Sequence, residues 1–263
     1  MAAGPLPAFR MGERCMPIDE AFKLDDIRPD QSILSQRKDP GGFPHITRLG
    51  RAFSEIAIYW GGDYSVGGAL KAPQKVDLPE DFLLDSGSNL ALMVNDLEHR
   101  GAGPALVGEL RRFCPTLERI TTRFLGGTVQ VYAHERGLRD PIPASRLSDG
   151  LLSYLCLLTI LCHPEPPPLV CIDEPEQGMH PDAIHRIGEL LIEASQRTQL
   201  VVTTHSDRLV SALSEVPESV VVCERDEGGT RLRRLEPDRL SKWLKEYSLG
   251  DIWMDGGLGG TRW

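Results

Sequence analysis

Two apolar runs constrain this chain more than any other feature. Leu169-Val170-Cys171-Ile172 and Leu200-Val201-Val202-Thr203 are short, uncharged and largely β-branched, and each stops abruptly at polar residues. The segments before, between and after them read as helices. Buried strands alternating with helices predict a mainly parallel sheet covered on both faces, a three-layer α/β arrangement. A third run, Val220 to Cys223, is expected in the same series.

The rest of the chain reads less regularly. Residues 1–80 are rich in proline, glycine and charge, with one apolar patch at Ile56-Ala57-Ile58-Tyr59-Trp60. That patch predicts a strand, entered from a short helix over Thr47 to Glu55. Ser86-Gly87-Ser88-Asn89 offers capping residues ahead of Leu90, Leu92, Met93, Val94 and Leu97, which predicts a helix; Ala105 to Phe113 predicts another. Gly126-Gly127 between Arg119–Thr122 and Thr128–Ala133 predicts a hairpin, as does Gly228-Gly229 before Arg231 to Leu235. The expected division is 1–80 as a remnant lobe or insertion, 81–236 as a core lobe, and 237–263 as a C-terminal helix and tail.

Composition narrows the setting. Of 263 residues 41% are apolar and 25% charged, enough for a sizeable soluble core. A formal charge of −9 excludes a generally basic surface built to grip nucleic acid, while leaving room for a local basic patch. Arg231, Arg233 and Arg234 read as a solvated strand rather than such a patch. Cys15, Cys114, Cys156, Cys162, Cys171 and Cys223 contain no C-x-x-C pair, which suits a reducing, cytoplasmic compartment. Met1 to Arg14 has no signal-peptide core, and Leu151 to Cys162 falls short of the roughly 20 residues of a membrane span. A soluble protein without a membrane partner is expected.

Three segments carry chemistry. Arg146-Leu147-Ser148-Asp149-Gly150 opens an apolar helix: Ser148 can cap it, and the free N–H groups of its first turn can face an anion such as phosphate. Pro168 to Ile172 delivers two adjacent carboxylates, Asp173 and Glu174, to the C-terminal end of a buried strand, where ligands of open α/β sheets gather. An Asp there can hold magnesium, and the neighbouring Glu can take a proton from attacking water. Leu200 to Thr204 ends likewise in His205 and Ser206. Each segment alone also has a bland reading, as a cap, a strand end or a structural histidine.

In that order the three resemble the signature loop, Walker B strand and switch histidine of ATP-binding-cassette ATPases. Within that superfamily they are most similar to the predicted AAA-family ATPases related to SMC and RecF. The likeness extends through Asp85-Ser86-Gly87-Ser88-Asn89-Leu90, the run Glu176, Gly178, His180 and Pro181, and the tail from Leu249 to Trp263. It implies a P-loop NTPase fold of the ATP-binding-cassette type, with ATP and Mg2+ as cofactors. Asp173 would ligate the metal, Glu174 would be the catalytic base, and His205 would sense the γ-phosphate. Ser148, Asp149 and Gly150 would contact nucleotide held by a second subunit, in a homodimer with ATP sandwiched between its heads. Glu176 to Pro181 would form the D-loop. DNA or a DNA-processing protein would be the partner, in DNA repair, maintenance or defence. Gln31 and Gln36 are the nearby glutamines for the family's glutamine loop.

One element of the family pattern is missing. No G-x-x-x-x-G-K-[ST] occurs in the sequence, and Gly61 to Lys71 lacks both the spacing and the Lys-Ser/Thr pair. Without it there is no amide cradle for phosphates, no lysine on them and no hydroxyl on magnesium. The N-terminal lobe is therefore expected to be incomplete and the chain inactive by itself, through truncation, a late start or a second chain supplying the rest. Two other readings stay open: a non-catalytic dimerisation module, and a metal-dependent hydrolase or nuclease using Asp173, Glu174 and His205 directly.

Overall fold

The computed structural model describes residues 9–11, 14–16, 28, 30–60 and 68–260. The chain divides into two units, residues 1–55 and 56–263. In the first, β1 (Phe9–Met11) pairs antiparallel with β2 (Arg14–Met16), and two helices follow, α1 (Ile33–Gln36) and α2 (Pro44–Ser54). Pro44 in the first turn of α2 starts the helix before the Thr47 expected from sequence, since its missing N–H costs nothing there. Gln36 is engaged locally: its Oε1 accepts from Arg28 N at 2.7 Å and its Nε2 donates to Arg28 O at 2.9 Å.

The second unit opens with β3 (Ile56–Trp60), β4 (Gln74–Lys75), α3 (Leu90–His99) and α4 (Gly103–Arg111). A long hairpin, β5 (Leu117–Leu125) and β6 (Thr128–Glu135), turns at Gly126-Gly127 as expected. With β4 on one side of β6 and β7 (Ile142–Pro143) also on β6, it forms an antiparallel sheet. Val129, Val131 and Ala133 face inward with Leu90 and Met93 of α3 in one hydrophobic core. Asn89 does not cap α3 with its side chain. Its Nδ2 donates to the carbonyls of Pro79 and Phe82, and its Oδ1 accepts from Leu84 N, so this buried amide ties down the preceding loop.

Next come α5 (Asp149–Leu161), β8 (Leu169–Asp173), α6 (Pro181–Ser195), β9 (Gln199–Thr203) and α7 (Asp207–Ala212). Helix α5 is apolar around nearly its whole circumference, and every residue from Leu152 to Leu161 is buried, as such a helix must be. Strands β3, β8 and β9 form a parallel sheet in the order β3-β8-β9, in register so that Trp60, Asp173 and Thr203 sit level. Val170 and Ile172 of β8 and Tyr59 of β3 pack into the core with α5 and α6.

Two expectations for this sheet need correction. First, it is covered on one face only among the described residues: Ile58 is 51%, Trp60 56% and Val201 50% exposed on the other, with Cys171 half-buried between them. Among the described residues β9 is moreover an edge strand, paired with β8 alone. Second, the Val220 run does not join it. β10 (Val221–Asp226) pairs antiparallel with β11 (Gly229–Arg234) in a separate ribbon turning at Gly228-Gly229. That ribbon leads to α8 (Pro237–Leu240) and α9 (Leu249–Met254), and a second hydrophobic cluster holds Val210, Leu235, Leu249, Ile252 and Leu258.

Among the described residues no helix is long and apolar enough to cross a membrane. Cys114, Cys156, Cys162, Cys171 and Cys223 are free thiols, and burial raises Cys162 to about 11.

Candidate active site

The register of β8 on β9 places the second and third sequence motifs side by side. Asp173 lies opposite Thr203, and the Thr203 hydroxyl donates to Asp173 Oδ1. The chain then turns sharply: Glu174 has φ +43°, the only positive value at a non-glycine residue among the described positions. Its N–H donates back across the strands to Thr203 O at 3.0 Å and lies 3.3 Å from Thr203 Oγ1. A left-handed backbone is strained for a side chain with a Cβ and persists where surrounding contacts impose it. Here the turn lifts the Glu174 carboxylate off the strand axis, so that its Oε1 comes 3.6 Å from His205 Nε2. Gln177 Nε2 donates to Oε2 of the same carboxylate.

A second carboxylate steadies the histidine loop. Glu176 Oε1 accepts from the Thr204 hydroxyl, and Thr204 Oγ1 in turn accepts from Ser206 N at 2.9 Å. Ser206 caps α7 through Leu209 N. His205 is thus held between a tethered residue and a helix cap. Glu176 was expected only as part of the D-loop, and Gln177 was not singled out. The sole sequence signal for either was the polar run that follows β8.

The first motif lies elsewhere. Ser148 caps α5, accepting from Leu151 N at 3.3 Å, and Asp149 in the first turn pairs with Lys71 at 2.7 Å. Gly150 is packed against the D-loop: a Cβ there would sit 3.1 Å from Gly178 O. Ser148, Gly150, Gly178 and His180 line a cleft of about 1110 Å³ that includes none of Asp173, Glu174 and His205. The structure therefore brings Asp173, Glu174 and His205 together, while Ser148 and Gly150 line a different cleft.

The strand-end ledge suits magnesium. Asp173 offers hard oxygen at a half-buried strand end, and magnesium is commonly held by one or two carboxylates completed by phosphate and water. Among the described residues no group of three or more His, Cys, Asp or Glu side chains forms a metal site of its own. Among the described residues Lys71, which ends the glycine-rich stretch, is paired with Asp149. Among the described residues, those at the ledge fit the metal side of a nucleotide site.

Comparison with known proteins bears on this geometry. The phage P2 protein named Old nuclease, from Escherichia phage P2, is 33% identical over 81 residues, which are 30% of this chain and only 14% of that protein. An SMC head solved with the C-terminal winged-helix domain of ScpA shares 13% identity, covering 70% of this chain and 56% of that one, with a TM-score of 0.48. The Pyrococcus furiosus Smc head with an extended coiled coil shares 15% identity over 62% of this chain and 42% of that one, with a TM-score of 0.45. Those scores denote loose likeness, and the α/β assignment stands on the sheet and helices themselves. The model of the family described as "AAA domain, putative AbiEii toxin, Type IV TA system" matches residues 18–211, well over half of the sequence, and the chain belongs to that AAA-domain family.

Proposed function

We propose that this chain supplies the magnesium and hydrolytic side of an ATP-splitting site whose phosphate-binding loop comes from outside its sequence. One observation carries the reading: two parallel strands end level, with Asp173 bridged to Thr203 and Glu174 beside His205. Asp173 would hold magnesium. Glu174, with one oxygen held by Gln177 and the other toward His205, would accept a proton from water. ATP supplies the bond to be broken, and the Mg2+ would offset charge on its phosphates.

The bare side of the parallel sheet supports the missing half. A parallel sheet ordinarily has both faces covered, and an unpaired edge strand offers a row of hydrogen-bonding groups to another strand. β9 is such an edge, and Ile58, Cys171 and Val201 form the open face next to it. A strand, G-x-x-x-x-G-K-[ST] loop and helix added there would set amides and a lysine opposite Asp173. Ser148 and Gly150 line a cleft that does not include Asp173, Glu174 or His205, which supports their use on nucleotide held by a second subunit, in a head-to-tail dimer. DNA maintenance or defence is the wider role that the family resemblance suggests.

Added to a P-loop-bearing form of the protein, Glu174→Gln should abolish ATP turnover while ATP still binds, and Asp173→Asn should weaken the magnesium dependence of binding. Wild-type turnover by Glu174→Gln contradicts the base assignment. The likeness to a nuclease favours one rival, metal-dependent DNA cleavage by Asp173, Glu174 and His205. DNA cleaved with metal and without nucleotide, and lost in Asp173→Asn, would replace the ATPase reading with that one.

A further inference from the structure

The antiparallel sheet has an outer face that the ATPase reading does not use. On β5 and β6 the inward positions are taken by Ile120, Val129, Val131 and Ala133, so the alternating residues point away from the core. Paired across the strands on that outer face are Arg119 with His134, Thr121 with Tyr132, and Arg123 with Gln130, and Lys75 of β4 stands beside Thr128. No Asp or Glu occupies a paired position on it. Glu118, at the bulge between Leu117 and Arg119, lies 3.6 Å from Arg136.

These cations differ from the ion-paired arginines of this chain. Arg100, Arg112, Arg136, Arg186, Arg231 and Arg239 all face a carboxylate within 4.0 Å, whereas no ion pair involves Lys75, Arg119 or Arg123 among the described residues. Arg123 lies 4.8 Å over the ring of Tyr132, and the Thr121 hydroxyl is 2.9 Å from His134 Nε2. His134 is held below its ordinary value first by burial and then by Arg119 and Arg123, against an opposing pull from Glu118. A chain of charge −9 has thus gathered unneutralised cations around two planar rings. The hairpin tip next to them is apolar, with Leu125 81% exposed.

We infer that the outer face of β4, β5 and β6 binds the phosphodiester backbone of a nucleic acid through Lys75, Arg119 and Arg123. Arg119 and Arg123 are four residues apart on one strand, about 13 Å at the usual rise, so they reach separate phosphates rather than a single anion. Cations strung along a flat sheet suit a linear polyanion. A basic ring around an apolar tip would suit a lipid surface instead. The inference is independent of the ATPase reading, since it needs neither nucleotide nor a second subunit.

The test is fluorescence anisotropy of the full chain with labelled single-stranded and duplex oligonucleotides across a salt series. Binding to either form is expected, with log K falling against log salt at a slope of about −2 to −3 for roughly three phosphate contacts. Arg119→Glu/Arg123→Glu should lower affinity at least about tenfold and remove about two units of slope. Arg231→Glu/Arg239→Glu, the same charge change at ion-paired arginines of β11 and α8, should bind like the wild type. If the charge reversal disturbs the melting curve, Arg119→Gln/Arg123→Gln takes its place and should still weaken binding. No binding by the wild type, unchanged binding by the Arg119/Arg123 variants, or equal loss in the Arg231/Arg239 control overturns the inference. So does tighter sedimentation with phosphatidylserine vesicles than binding to either oligonucleotide.

Discussion

Glu174 shows how a single backbone angle shapes the site. Its φ of +43° is one that glycine adopts freely, and a residue with a Cβ gives up about 1–2 kcal/mol to hold it. Glycine would in turn lose about 0.5–1 kcal/mol to its freer unfolded chain. Glu174→Gly should therefore raise stability by about 0.5–1 kcal/mol in thermal melts, with Glu174→Gln near wild type. A Glu174→Gly protein melting well below the wild type would mean that the carboxylate is a structural tether for Gln177 and His205. At this scale the sequence was legible where chemistry demands particular side chains at a strand end: Asp173, Glu174 and His205 do converge. The clamps were not legible. Gln177 on Glu174 depends on how the loop after β8 turns, and Thr204 on Glu176 on how two loops fold over each other.

Elements show the same division between local and distant causes. The hairpins at Gly126-Gly127 and Gly228-Gly229 could be read because their turn chemistry lies in the turn itself. The partner of the Val220 run could not, since an apolar run states that a strand is buried without stating beside what. The bare face of the parallel sheet escaped for a related reason: Cys171 and Val201 look as apolar as Val170 and Val202. Close helix packing is likewise hidden in sequence. On α6, a Cβ at Gly188 would lie 2.4 Å from Ala212 Cβ and 3.4 Å from Leu209 Cδ1 of α7. Gly188→Ala should cost about 1–3 kcal/mol by forcing these helices apart, despite the better helix propensity of alanine. Chemical denaturation measures it, and Gly188→Ala/Ala212→Gly should recover part of the loss. A neutral or stabilising Gly188→Ala would show that the helices separate without cost.

On the scale of the whole molecule, the second unit holds all the residues of the proposed nucleotide site. Asp173, Glu174 and His205 converge at the ends of β8 and β9 and Ser148 caps α5, while β9 pairs with β8 alone among the described residues. Under the proposed reading, ordered carboxylates beside an open edge fit a protein whose activity is assembled from parts rather than one that has relaxed into a scaffold. That assembly has a direct consequence for the chain as it stands. Most phosphate contacts in such sites come from the loop that this sequence lacks, so Asp173 alone cannot retain MgATP tightly. Isothermal titration calorimetry of this chain with MgATP tests the point directly. The account predicts no saturation below about the millimolar range, equivalent to a binding free energy weaker than about −4 kcal/mol. Saturable binding near 1 μM, about −8 kcal/mol, would contradict it, because the phosphate cradle would then have to lie within this sequence.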